Sequence, residues 1–383
     1  MRLQLLSAAG LAIIVSACSA AGTNQSVPPT YAGPGLGTNL NDQLQPAAVD
    51  TTSILKQLTK TVAIGSTIDP TNGDKTPYGL LYVKKKPYGS SPLAKGDLVI
   101  CNYADSSGTL GNGTTVDALP SKPGSKSKTY VQNAKLKGCA GVTISGYDAV
   151  YAADSTAKNV SGISSKGKIV QTLTNKALPM PWSVTYNTGF GYPPGDAIYT
   201  SDMSTGNVIT LDLGAGSGPS YVTGITGFAV SGSSPGSMRG PTGVQYNPRN
   251  DTLYILDGVT NSLVSVAHAY EVLQQNGAIK VSADGKTFTG PGAKDAKLLH
   301  IGKPLNDPIG STLLPNGNLV VSNGAGSNML VEIASNGQVL ATKVVDKGKA
   351  HAVPGLASNG TSDTNTVIYF NDDNKNNVQL LTR

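Results

Sequence analysis

Residues 241–266 read PTGVQYNPRNDTLYILDGVTNSLVSV. The segment has three parts. Pro241-Thr242-Gly243 opens it, an apolar strand from Thr252 to Leu256 ends at Asp257, and Asn261 opens a further strand from Ser262 to Val266. A Gly just after the opening Pro suits a strand in a crowded place, where a side chain would clash. Asp followed by Asn suits a hairpin turn, because these side chains bond local backbone and tolerate left-handed angles.

The unit recurs along the chain. Pro308-Ile309-Gly310 leads into Asn318–Asn323 and then Asn328. Pro181-Trp182-Ser183 leads into Asp196–Asp202 and then Asn207. Pro354-Gly355-Leu356 leads into Thr366–Asn371 and then Asn377. Two looser copies come first. Cys139-Ala140-Gly141 leads into Asp148–Asp154 and Asn159, and Pro77-Tyr78-Gly79 leads into Asp97–Asn102 with an insertion before Thr114. Six copies of a small antiparallel unit that cannot bury both faces alone predict an all-β, six-bladed β-propeller, in which radial stacking hides the apolar faces. The last copy lacks a fourth strand. Lys60-Thr61-Val62-Ala63-Ile64 has no other home, so it is expected to complete that blade and close the ring by pairing the two chain ends.

Composition agrees. The 383 residues include 46 Gly and 23 Pro, which supply the angles of tight turns, and 39% are hydrophobic, enough for a core and too many for disorder. The steps from Pro181 to Pro241 and on to Pro308 are longer than the step to Pro354. The excess implies loop insertions or an added helix, for which Ala269–Gln275 is the candidate, with helix and strand readings in competition. His268 falls in an expected strand, where a structural role fits.

The repeat resembles that of the NHL-repeat and gluconolactonase-like six-bladed propellers, over roughly residues 60–383. The resemblance implies the fold, and it leaves binding scaffolds, lactonases and lyases all open as functions. Gluconolactonase-like enzymes imply a channel metal held by Glu, Asn and Asp, and streptogramin lyase-like propellers imply His and Glu on channel loops. The only glutamates, Glu271 and Glu332, occupy no inner-strand start, which lowers the enzyme reading.

The start of the chain reads as an address. Arg2 and an apolar run from Leu5 to Val15 form a secretory signal peptide over residues 1–17. Val15-Ser16-Ala17-Cys18 resembles the bacterial lipobox, which makes Cys18 the lipidated first residue. The alternative is a soluble periplasmic or secreted chain cut near Ala20 or Ala21. Ser19, where an Asp would resemble an inner-membrane retention signal, points to the outer membrane. Residues 18–49 read as a flexible tether with Asp42 its one charge before Asp50, and residues 50–383 as the propeller. Asp50 or Thr51 would cap a short helix running to Thr59. In an oxidising compartment Cys101 and Cys139 are expected to bridge.

Only three His residues occur, His268, His300 and His351, and none sits in a metal-binding spacing. His351 lies in the loop entering an inner strand, and the matching loops carry Arg239, Asn306, Asp307, Met180, Trp182 and Tyr78. Together they would form a rim at the channel mouth with a cation, a carboxylate, an imidazole and aromatic surface. Taken singly, Asp307 and Asn306 are also ordinary turn caps. No metal site is expected. Calcium at Asn371–Asn377 is possible from its oxygen ligands, but Lys375 interrupts the run and a hairpin turn is the better reading. The net charge of +6 includes Lys84-Lys85-Lys86 and a group from Lys122 to Lys137, read as solvated loops, with docking on an anionic surface as the alternative.

The leading expectation is a monomeric, lipid-anchored, non-catalytic scaffold for an envelope protein or glycan, without cofactor and without nucleic acid. The alternative is a lyase or lactonase working through His351, Asp307 and Arg239. A purely structural envelope role is a third class.

Overall fold

The computed structural model describes residues 49–187, 196–214 and 218–383. The leader, Cys18 and the tether as far as residue 48 lie outside the described residues, as do Ala215, Gly216 and Ser217. The described chain is an all-β, six-bladed propeller with a few single-turn helices. The inner strands are Lys75–Tyr82, Cys139–Ile144, Pro181–Asn187, Pro241–Asn247, Pro308–Leu313 and Leu356–Asn359, and they begin blades 1 to 6. Each touches its counterparts in the neighbouring blades, so the six surround one axis.

The ring closes as the sequence predicts. Lys60–Ser66 pairs antiparallel with Asn377–Thr382, with Lys60 opposite Thr382 and Val62 opposite Leu380. Blade 6 therefore draws its outer strand from the start of the propeller, and the C-terminal strand is paired on both sides. The disulfide Cys101–Cys139 joins blade 1 to blade 2, with Cα atoms 5.3 Å apart.

The repeat has a visible cause. Each opening Pro, which has no N–H to give, faces the Asp or Asn that ends the next strand: Pro241 opposite Asp257, Pro308 opposite Asn323, Pro181 opposite Asp202. A bulge follows at once, and the next blade's backbone comes close there. A Cβ on Gly141 would stand 2.6 Å from the Trp182 carbonyl oxygen. At Gly310 it would collide with the Pro354 carbonyl. Blade 3 carries Ser183 instead, and its hydroxyl accepts the Val244 N–H at 3.2 Å. Asn102, Asp154, Asp202, Asp257, Asn323 and Asn371 are all buried at these strand ends.

Apolar faces meet between blades. Tyr199, Val208, Tyr246, Leu253, Ile255 and Val264 pack blade 3 on blade 4. Val99, Val116, Val142, Val150 and Ile163 do so between blades 1 and 2. Each such fully buried aliphatic side chain contributes about 1.5–3 kcal/mol.

Three local expectations change. The short N-terminal helix is Ile54–Gln57 and its cap is Ser53, not Asp50 or Thr51. The reason is long-range: the buried Glu332 carboxylate accepts from the Ser53 hydroxyl and from the N–H groups of Ile54 and Leu55. His268 is not in a strand. It stands in left-handed conformation before the helix Ala269–Val272, with its Nδ1 3.0 Å from Asp295. The insertion behind that helix sends Ile279–Val281 to pair parallel with Ser220–Thr226, so blade 3 becomes a six-stranded sheet. The Asn371–Asn377 segment is a hairpin turn, in which Lys375 bonds Asp372 at 2.6 Å and Asp346 at 3.0 Å.

Candidate functional site

The loops that enter the inner strands gather at one end of the axis. Three of them bring Arg239, Asp307 and His351 together. The Arg239 Nε lies 2.5 Å from Asp307 Oδ2, and its Nη2 lies 2.7 Å from His351 Nε2. His351 Nε2 is 3.3 Å from the same Asp307 oxygen. The guanidinium is aimed by its own loop, because Nη1 donates to the carbonyls of Gly236 and Met238. Asp307 is aimed by blade 4, whose Asn261 side chain accepts its N–H at 2.5 Å. Asp307 and His351 both have left-handed backbone, at φ 52° and 67°. That conformation costs a non-glycine residue free energy, and here the surrounding bonds enforce it.

The charge states follow from burial. Burial raises the Asp307 pKa above the usual carboxylate value, and Arg239 works against that rise. Burial and then the Arg239 charge push His351 down to about 4. His351 is therefore neutral near pH 7. Its Nε2 accepts from Arg239, which assigns the ring proton to Nδ1. The 3.3 Å approach to Asp307 is then a contact between two acceptors, both drawn in by the same guanidinium. One carboxylate oxygen, Asp307 Oδ1, is buried without a hydrogen-bond partner.

Beside the cluster is an aromatic floor. Tyr78, Tyr103 and Trp182 have ring centres 4.6–5.3 Å apart, with Met180, Met203 and Met238 packed around them. Burial raises the hydroxyl pKa of Tyr103 to about 12, and that of Tyr78 is raised for the same reason. Trp182 is only 6% exposed, so it supports the floor more than it offers surface. Tyr103 was not legible as a member, since it belongs to a second strand of blade 1 rather than to an entry loop. Asn306 is exposed at the edge, where its N–H binds Asn323 and its carbonyl accepts from Ala325.

The axis also holds a cavity of about 440 Å³. It runs between the inner strands from Tyr78, Trp182 and Pro354 to Lys84, Arg249 and Pro315 past the strand ends. Arg239, Asn306, Asp307 and His351 do not line it. They stand outside its strand-start end, so the rim expected from the sequence forms over the axis rather than within the channel. The side chains present do not suit a channel metal. Among the described residues the cavity wall has no carboxylate and no imidazole, and Arg239 is bonded to both the one carboxylate and the one imidazole of the cluster. Among the described residues no three His, Cys, Asp or Glu side chains come together as a metal site.

No protein-family model matches the sequence, and no curated protein matches it. Solved structures do share the fold. Virginiamycin B lyase from Staphylococcus aureus is 15% identical, with 85% of this chain and 98% of that one aligned at a TM-score of 0.50. A gluconolactonase from Xanthomonas campestris is 12% identical over 81% of this chain and 87% of its own, also at 0.50. A Bacteroides thetaiotaomicron protein of unknown function is 11% identical over 84% and 74%, at 0.52. Identities this low speak for fold alone. The chain is a six-bladed propeller similar in architecture to lyase and gluconolactonase propellers.

Proposed function

We propose that this propeller is an enzyme of the lyase or lactonase kind that opens a cyclic ester over the strand-start end of its axis. The observation that carries the reading is the neutral His351 imidazole held 2.7 Å from the Arg239 guanidinium. A base and an oxyanion partner side by side are what ring opening requires.

Arg239 turns its Nη2 hydrogen from His351 to the substrate carbonyl oxygen. That frees Nε2, and it shifts positive charge away from the imidazole towards the developing oxyanion. In hydrolysis, His351 takes a proton from water, the water oxygen attacks the carbonyl carbon, and the ring C–O bond breaks. The proton then passes to the departing alkoxide. In elimination, His351 takes and keeps the proton from the carbon adjacent to the one that bears the ester oxygen, a C=C bond forms between those two carbons, the alkyl C–O bond breaks, and the ester oxygen leaves as carboxylate. Asp307 keeps the guanidinium in place throughout, and the Tyr78 floor takes the apolar part of the substrate.

The lyase and gluconolactonase among the structures of like fold agree with this reading. Export through the signal peptide and attachment through Cys18 would place the reaction in the cell envelope. The test is a panel of cyclic esters incubated with the protein and read by mass spectrometry. Hydrolysis adds one water to the mass and elimination leaves it unchanged. Opening by either route that disappears in His351→Gln supports the proposal. Opening that persists in that variant, or none across lactones and cyclic depsipeptides, overturns it.

A further inference from the structure

The far end of the axial cavity has a different chemistry. Among the described residues its wall contains no Asp and no Glu, and its only charged side chains are Lys84 and Arg249. They come from the turns that follow the inner strands of blades 1 and 4, which stand opposite each other in a ring of six. Arg249 is fixed at this mouth. Its Nη1 donates to the Pro315 carbonyl of blade 5 at 2.5 Å, and its N–H donates to Asn247. Its Nε and Nη2 hydrogens have no partner among the described residues. Lys84 makes no ion pair with the described residues either. Its side chain reaches solvent, yet its pKa is held below the ordinary lysine value, first by the protein packed round the mouth and then by the Arg249 charge. Two cations that repel each other and have no counter-ion among the described residues mark a place where an anion lowers the free energy.

The wall above them is polar. Thr143, Gln245 and Ser311 come from the inner strands of blades 2, 4 and 5, are half-buried, and spend none of their side-chain hydrogen bonds within the described protein. Ser183, Thr185 and Ser358, by contrast, are used to tie strands together. Free hydroxyl and amide groups over a cationic mouth, in about 440 Å³, suit a small ligand that carries hydroxyls and one anionic group.

We infer that the strand-end mouth of the cavity, with Lys84 and Arg249 as anion clamps and Thr143, Gln245 and Ser311 as hydroxyl partners, binds a small anionic sugar. The anionic group is a carboxylate or a phosphate. This site is separate from the Arg239–Asp307–His351 cluster and does not depend on it.

The experiment is calorimetric titration of the full chain with glucuronate, glucose 6-phosphate and glucose at low salt. At least one of the two anions should bind tenfold or more tighter than glucose, and which one does assigns the head group. Lys84→Met with Arg249→Met should lose that affinity tenfold or more, and Arg239→Gln should keep it. Should the double variant unfold, Lys84→Met alone serves, since that side chain bonds nothing among the described residues. The inference is overturned if neither anion binds, if glucose binds as well as they do, if the Lys84 variant keeps the full affinity, or if Arg239→Gln abolishes it.

Discussion

The two ends of the propeller axis carry basic side chains in opposite states. At the strand-start end, Arg239 is paired on both sides, with Asp307 at 2.5 Å and His351 at 2.7 Å. At the strand-end mouth, Lys84 and Arg249 face a wall with no carboxylate among the described residues. The first arrangement spends its charge on fixing geometry, so that an imidazole stays neutral and a guanidinium stays aimed. The second leaves its charge available to a ligand. The same fold thus separates a place suited to moving a proton from a place suited to holding an anion.

The comparison can be broken most severely at Arg239. Arg239→Gln removes the oxyanion partner and should lower kcat/KM for ring opening by about 10²–10³-fold, while Lys84→Met should leave it unchanged. Steady-state kinetics on both variants checks this. An equal loss in the two would mean that the ends are not separate.

Next in size is the disulfide. Cys139 lies just before the bulge at Gly141, so the bond pins blades 1 and 2 at the strand-start end. Replacing Cys101 and Cys139 with Ser should cost about 2–5 kcal/mol in a denaturant titration. It should also slow ring opening more than it weakens anion binding at the far end. Gly310→Ala drives a methyl group into the Pro354 carbonyl and should cost about 1–3 kcal/mol by the same titration.

The smallest effect is a titration. NMR should place the His351 pKa at about 4, and Arg239→Gln should move it up towards the ordinary 6.5, because one of the two causes of the depression is gone. The sign for stability follows. Between pH 6.5 and about 4 the unfolded chain takes up a proton that the folded one refuses, so stability falls as pH falls through that window. Thermal melts should show a steeper loss there in the wild type than in His351→Gln.

Much of this was written in the sequence, because a repeat gives position. Arg239, Asp307 and His351 stand two, one and three residues before Pro241, Pro308 and Pro354, in the entry loops of successive copies, and the entry loops of a ring converge. The closing strand, read as Lys60–Ile64 and found as Lys60–Ser66, was legible because the last copy lacks a fourth strand, and the Cys101–Cys139 pair because two cysteines of neighbouring blades bridge in an oxidising compartment. What escaped depends on contacts without a local signal. Ser53 caps its helix because Glu332 reaches it from far along the chain. Ile279–Val281 is three residues long, too short for any period to announce that it would join blade 3. Trp182 reads as rim aromatic but is covered by Tyr78 and Tyr103. Arg249 and Lys84 line the same mouth from opposite blades, a relation that no neighbouring residues encode.

The most direct measurement is the rate of ring opening by wild type and His351→Gln as pH is varied. The account predicts a wild-type rate that is flat near neutrality and falls as pH drops through about 4, where the imidazole takes its proton. Near pH 7 the variant should be slower by about 10²–10⁴-fold, the usual worth of a positioned base. A variant as fast as the wild type, with the same pH profile, would contradict the assignment of His351 as the base.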